Sequence, residues 1–140
     1  MKPWLCAAGV QLRDQVDTWF PDRSTASPEG WLGDSRHSAR KSDHNPDKSG
    51  VVRAIDINAR LQSSDSLAPY LADQIRIAAK SDARISYVIY NKRICSKILN
   101  WKWRKYRGIN SHKSHLHISF TKAGDKDGRE FDIPLLGGKI

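Results

Sequence analysis

Cysteine is nearly missing from this chain. Only Cys6 and Cys95 occur in 140 residues, too few and too far apart for a disulfide framework, and no Cys-x-x-Cys is present to build a thiolate zinc site. Two buried thiols are expected instead. Long apolar runs are missing as well: nothing approaches the roughly 20 residues of a membrane-spanning helix. The run Trp4-Leu5-Cys6-Ala7-Ala8-Gly9-Val10 is short and continues like a helix through Gln11-Leu12-Arg13-Asp14, which makes a poor signal peptide. No Gly-x-Ser-x-Gly elbow is present to activate a serine. Carboxylates are scarce beside cations, 15 Asp and Glu against 24 Lys and Arg, for a net charge of +9. That excess favours an anionic partner, whether nucleic acid, a membrane surface or an anionic cell-wall polymer.

The hydrophobic share of 39% and the charged share of 28% describe a globular chain rather than a disordered one. Its length suits one domain, residues 1–140, with a real core. A helix is expected over residues 4–20, ended by Pro21. A turn-rich loop follows, with Trp31-Leu32 anchoring its far end. Residues 35–50 are polar and basic. Val51–Ile57 reads as a buried strand. A second helix is expected from Pro69, capped by Asp65 or Ser66, with Leu71, Ile75, Ala78 and Ala79 as its apolar stripe. Ile85–Tyr90 and Arg93–Ile98 form a hairpin about Asn91-Lys92, and His115–Phe120 is a further strand. The sum is an α+β fold with two main helices and a small, mostly antiparallel sheet.

Two short stretches carry chemistry. Ser42-Asp43-His44 and Ala54-Ile55-Asp56 supply a histidine and a carboxylate, the latter inside a buried strand, where it is costly unless paired or metal-bound. His115-Leu116-His117 supplies two imidazoles on one face of a strand. One carboxylate and two imidazoles leave zinc a fourth position for water, the pattern of a catalytic site. An isolated histidine is more often a surface or core residue, so His37 is given no metal role.

Ser42-x-His44, then Gly50, then Ala54-x-Asp56, then His115-x-His117 resembles the zinc motif of the D-alanyl-D-alanine carboxypeptidase and L-alanyl-D-glutamate endopeptidase family. Many phage endolysins belong to that family, and its fold is shared with hedgehog domains. The resemblance covers roughly residues 36–120. It implies a single zinc peptidase domain with Zn2+ held by His44, Asp56 and His117, and His115 beside the metal as the proton-transfer group. Residues 45–50 lengthen the loop between the first two ligands. Where many members carry a Glu or Asp before the final motif, this chain has His112 and Ser114. The set His112, His115, His117 is similar to the penicillin-insensitive murein endopeptidase branch, and His112 is the second choice for proton transfer.

The resemblance also implies that Arg40 stabilises charge on the substrate carbonyl, with Arg36 as a competing substrate-binding residue. Ser42 is placed in the substrate region, chiefly to order the loop. Asp43 and Asp47 either hydrogen-bond a ligand histidine from outside or serve as turn residues. Trp101 and Trp103, within the aromatic and basic stretch Trp101–Arg107, line a substrate groove or pack inward. The implied reaction is attack by metal-activated water on a peptide bond of the peptidoglycan stem, by a monomer made in a host cytoplasm and acting on the bacterial wall, without membrane insertion. Anionic wall polymers are a second expected partner. The alternatives are a D-alanyl-D-alanine carboxypeptidase of the same fold, a metal-dependent nuclease, a basic nucleic-acid-binding module, and a zinc-retaining protein without catalysis.

Overall fold

A computed structural model describes residues 2–26, 30–32, 42–108 and 112–138 of the chain. The elements are β1 (Trp4–Leu5), α1 (Ala7–Trp19), β2 (Val51–Val52), β3 (Ala54–Asn58), α2 (Ala68–Ala79), β4 (Ile85–Tyr90), β5 (Arg93–Ser96), β6 (Arg104–Lys105) and β7 (His115–Phe120). Among the described residues the fold is α+β: two helices, a five-stranded antiparallel sheet in the order β3-β7-β4-β5-β6, and a small parallel pair of β1 with β2. No helix among them is long and apolar enough to cross a membrane.

Several boundaries differ from the sequence-based expectation, each for a physical reason. The first helix starts at Ala7, because the backbone before it is spent on pairing: Trp4 N–H donates to Gly50 and Cys6 N–H to Val52. Ala8, Leu12 and Val16, one helical turn apart, form its buried stripe. Buried Gln15 ties this helix to the C-terminal segment through the backbone of Phe131 and Leu136. The expected strand 51–57 breaks at Arg53, whose guanidinium makes a bidentate pair with Asp125 at 2.7 and 2.8 Å and also meets Asp47 at 2.9 Å. Neither Asp65 nor Ser66 caps the second helix. Leu67 occupies the N-cap without a side-chain bond, and Pro69 stands in the first turn, where its missing N–H costs nothing. The hairpin forms about Asn91 and Lys92, both at positive φ (50° and 66°), which suits the right-handed twist of the strands. Its second strand stops at Ser96, where Trp101 N–H turns back onto the Ser96 carbonyl.

The sheet divides its residues by face. On β7, Leu116, Ile118 and Phe120 enter the hydrophobic core beneath α1 and α2, together with Ile55, Ile57, Val88 and the helix residues Leu12, Leu71 and Ile75. His115, His117 and Ser119 alternate to the opposite face. β7 is buried along its whole length, so the second face is covered too. Cys6 and Cys95 are free and buried, and burial pushes the Cys95 thiol up to about 12, which leaves it inert at neutral pH. Ile118 is fully buried at the centre of the sheet. Ile118→Ala should lower unfolding free energy by about 2–5 kcal/mol, read as a lower urea midpoint at unchanged slope.

Candidate metal centre

Antiparallel register builds most of the centre. Asp56 on β3 lies directly across from His117 on β7, and Asn58 across from His115. Facing positions on one side of such a pair have adjacent Cβ atoms, so the carboxylate and both strand imidazoles share one face. A bulge between Ile85 and Tyr87 lets Ile85 face the core while Tyr87 reaches the His117 side. The remaining ligand arrives on the loop before β2. There Ser42 Oγ accepts from His44 N–H at 3.2 Å, and Asp47 closes the longer turn by accepting from Ser49 and Val51. The Ser49 hydroxyl and these amides hold the Asp47 carboxyl down to about 2.

His44, Asp56 and His117 converge, and together they could hold a metal ion. His44 Nε2 lies 3.1 Å from Asp56 Oδ2 and 3.2 Å from His117 Nδ1. His117 Nδ1 lies 3.1 Å from Asp56 Oδ1. Donors at tetrahedral corners about 2.0–2.1 Å from an ion are about 3.3 Å apart, so the three groups fit one small ion with little adjustment. Their outer atoms are already held. His44 Nδ1 is 2.8 Å from the Trp31 carbonyl, which can only accept, so the hydrogen sits on Nδ1 and the neutral ring offers Nε2 to the centre. His117 Nε2 is 2.8 Å from Ser119 Oγ, which leaves Nδ1 facing inward. The Asp56 backbone is clamped by Gly30 through bonds of 2.7 and 3.1 Å. Gly30, at φ +123°, supplies a conformation that a side chain would strain.

Charge fits the same picture. Burial pushes the Asp56 carboxyl up, but hydrogen bonds from His117 and His44 and their charge win and hold it well below the usual carboxylate range. Burial pushes His44 down, yet its bond to Asp56 and that negative charge raise it above 6.5. Without a metal, and at pH below that raised value, His44 is protonated and the two form an ion pair. The Asp56 share of stability is present above pH 3.8 and fades as pH falls towards its depressed folded value. The His44 share is complete below pH 6.5 and is lost as pH rises through the raised folded value. A metal must displace the His44 proton, so its affinity climbs over the same rise in pH. Thermal unfolding with chelator and with metal should therefore show opposite pH slopes above about pH 6.5.

His115 and His112 stand beside this set. His115 Nε2 is 3.7 Å from Asp56 Oδ1. His112 is buried at φ 54°, an uncommon conformation for a non-glycine residue, with its ring 4.6 Å from that of His115 and 5.3 Å from that of His117. Asp56, His112 and His115 form a second, overlapping group that could hold an ion. Asp43 accepts from the Tyr87 hydroxyl at 2.8 Å.

Sequence reasoning missed three supports of the centre. Tyr87 stacks on His117 at 5.5 Å and 17°, while Ser119 and the Gly30–Trp31 backbone hold the ligands from outside. Only the alternation of His115, His117 and Ser119 could have suggested the second. Trp31 packs against the core and Leu32 is exposed. Trp101 and Trp103 are not brought to the histidines. Trp101 is buried in the core, and Trp103 donates to Asp73 on α2 at 3.0 Å. Arg36 and Arg40 lie outside the described residues. Removing the hydroxyl that holds His117, as Ser119→Ala, should weaken metal binding about 10- to 100-fold, read by chelator competition.

Comparison of the chain with family models, with curated proteins and with solved structures finds no match.

Proposed function

We propose that this chain is a zinc-dependent peptidase of the peptidoglycan stem, cutting the L-alanyl-D-glutamate bond. The observation that carries the reading is the meeting of His44, Asp56 and His117, from a loop and two strands, with donor atoms 3.1–3.2 Å apart and two further histidines alongside. The motif order, which resembles the carboxypeptidase and endopeptidase family, supplies the substrate. Two imidazoles and one carboxylate suit zinc, whereas magnesium-dependent nucleases present oxygen ligands.

A zinc ion held there supplies a polarising charge and brings the pKa of water to about 7. The chain's own residues do the rest. His44 and His117 are held with one nitrogen aimed inward, so little ordering remains when the ion binds. Asp56 carries the compensating negative charge. His115, with Nε2 facing the Asp56 carboxylate, takes the proton released at the reacting water and returns it to the leaving amine. His112 packs against the His115 ring and fixes its place. Burial pushes the Tyr87 phenol above its usual range, so it remains a hydrogen-bond donor beside the centre at neutral pH.

The test joins metal analysis with mass spectrometry of digested peptidoglycan. One zinc per chain and new D-glutamyl amino termini are expected. Release of free D-alanine would move the cut to the carboxypeptidase position. Magnesium-dependent loss of supercoiled plasmid with walls left intact would overturn the peptidase reading in favour of a nuclease.

A further inference from the structure

We infer that the outer edge of the five-stranded sheet, β5 with β6 and the turn between them, seats a phosphodiester-linked anionic polymer of the cell wall; this rests on the peptidase reading. From Ala83 to Gly124 the sequence contains no aspartate or glutamate. Within that stretch Lys92, Arg93, Lys97, Arg104, Lys105 and Arg107 are all exposed. Among the described residues β6 pairs only with β5 in the sheet, and Arg93 lies directly opposite Lys105. Like charges across a strand pair repel and destabilise it. The charge of Arg93 acts on the Asp73 carboxylate, which is already engaged by Arg76 at 2.7 Å and Trp103 at 3.0 Å. An anion supplied from outside would relieve this repulsion.

The aromatic residues decide which polyanion fits. Single-stranded nucleic acid is gripped by stacking bases on exposed rings. Here Trp101 is buried, Trp103 is half-buried beneath the Arg93 guanidinium, and Tyr106 packs edge-on against His112 at 5.7 Å. The edge therefore offers charge without a stacking platform, which suits a polymer with phosphates and no bases. Tyr106 follows β6 directly, so the seat leads into the histidine cluster. A polymer held there keeps the wall against the metal centre between cuts.

The test is co-sedimentation of the whole protein, on ice, with purified walls that retain their phosphodiester polymers and with walls stripped of them by hydrofluoric acid. Intact walls should bind the protein, and three phosphate contacts predict a loss of roughly twentyfold between about 50 and 200 mM salt. Stripped walls should bind at least about tenfold less. The triple variant Arg104→Gln, Lys105→Gln, Arg107→Gln should lose the salt-dependent binding while keeping its zinc content and unfolding temperature. Should that variant misfold, Lys97→Gln with Lys102→Gln in the turn carries the same test. Equal binding to stripped walls would overturn the inference, as would tighter retention on single-stranded DNA at the same salt. So would a folded variant that binds walls normally but aggregates, since the cations would then serve only to protect a sheet edge. Wall binding is read without any cut peptide, so it stands or fails separately from the peptidase activity.

Discussion

Asp56→Ala is expected to empty the centre and, on the peptidase reading proposed above, to cut stem-peptide hydrolysis by about a thousandfold or more. The carboxylate is the only negative group in the ligand set, and each of its oxygens faces one ligand nitrogen at 3.1 Å. Loss of a charge-stabilising ion removes several kcal/mol from the transition state, and each 1.36 kcal/mol is about tenfold in rate. The same variant gives a readout free of activity. Zinc at 100 to 1,000 times its dissociation constant should stabilise the native protein by about 2.7–4.1 kcal/mol, and Asp56→Ala should abolish that gain. A variant that still takes up zinc and still shifts its unfolding temperature would end the proposal that these three residues hold the ion.

His115→Ala should separate chemistry from metal binding. Its Nε2 lies 3.7 Å from Asp56 Oδ1, outside the tight set of donors, and it is the imidazole we propose exchanges a proton. The expected result is a fall in kcat of about 10²- to 10⁴-fold, with zinc content retained and KM little changed. Zinc loss in this variant would place the ion on the overlapping set of Asp56, His112 and His115 instead. An unchanged kcat would remove His115 from proton transfer and leave His112 as the group to examine.

Much of the architecture was legible because it is written in local periodicity. His115–Phe120 alternates cleanly, the Asn91-Lys92 turn marks its hairpin, and Leu71, Ile75 and Ala79 repeat at helical spacing. The errors fall where a distant partner takes over a backbone. Trp4 and Leu5 read as helix by themselves, but β2 supplies them with strand bonds. Arg53 interrupts a β-branched run where its N–H turns to the Asp43 carbonyl and its guanidinium pairs with Asp125, 72 residues later. Trp101 and Trp103 look like a groove in sequence, since interleaved aromatic and basic residues do not reveal which way each ring turns. Asp73 and the core take those rings inward.

The sequence by itself determined the donor types at the centre, because only certain side chains can grip a metal and only their order along the chain makes the motif. It also determined that His115 and His117 share a face, since strand geometry allows nothing else. The tertiary structure alone decided that β3 pairs with β7 in the register that sets Asp56 opposite His117, and that the His44 loop closes over them. It alone decided that Trp31, Ser119 and Tyr87 brace the result. Register and bracing depend on which buried faces meet, a global balance of packing that short-range pattern does not encode.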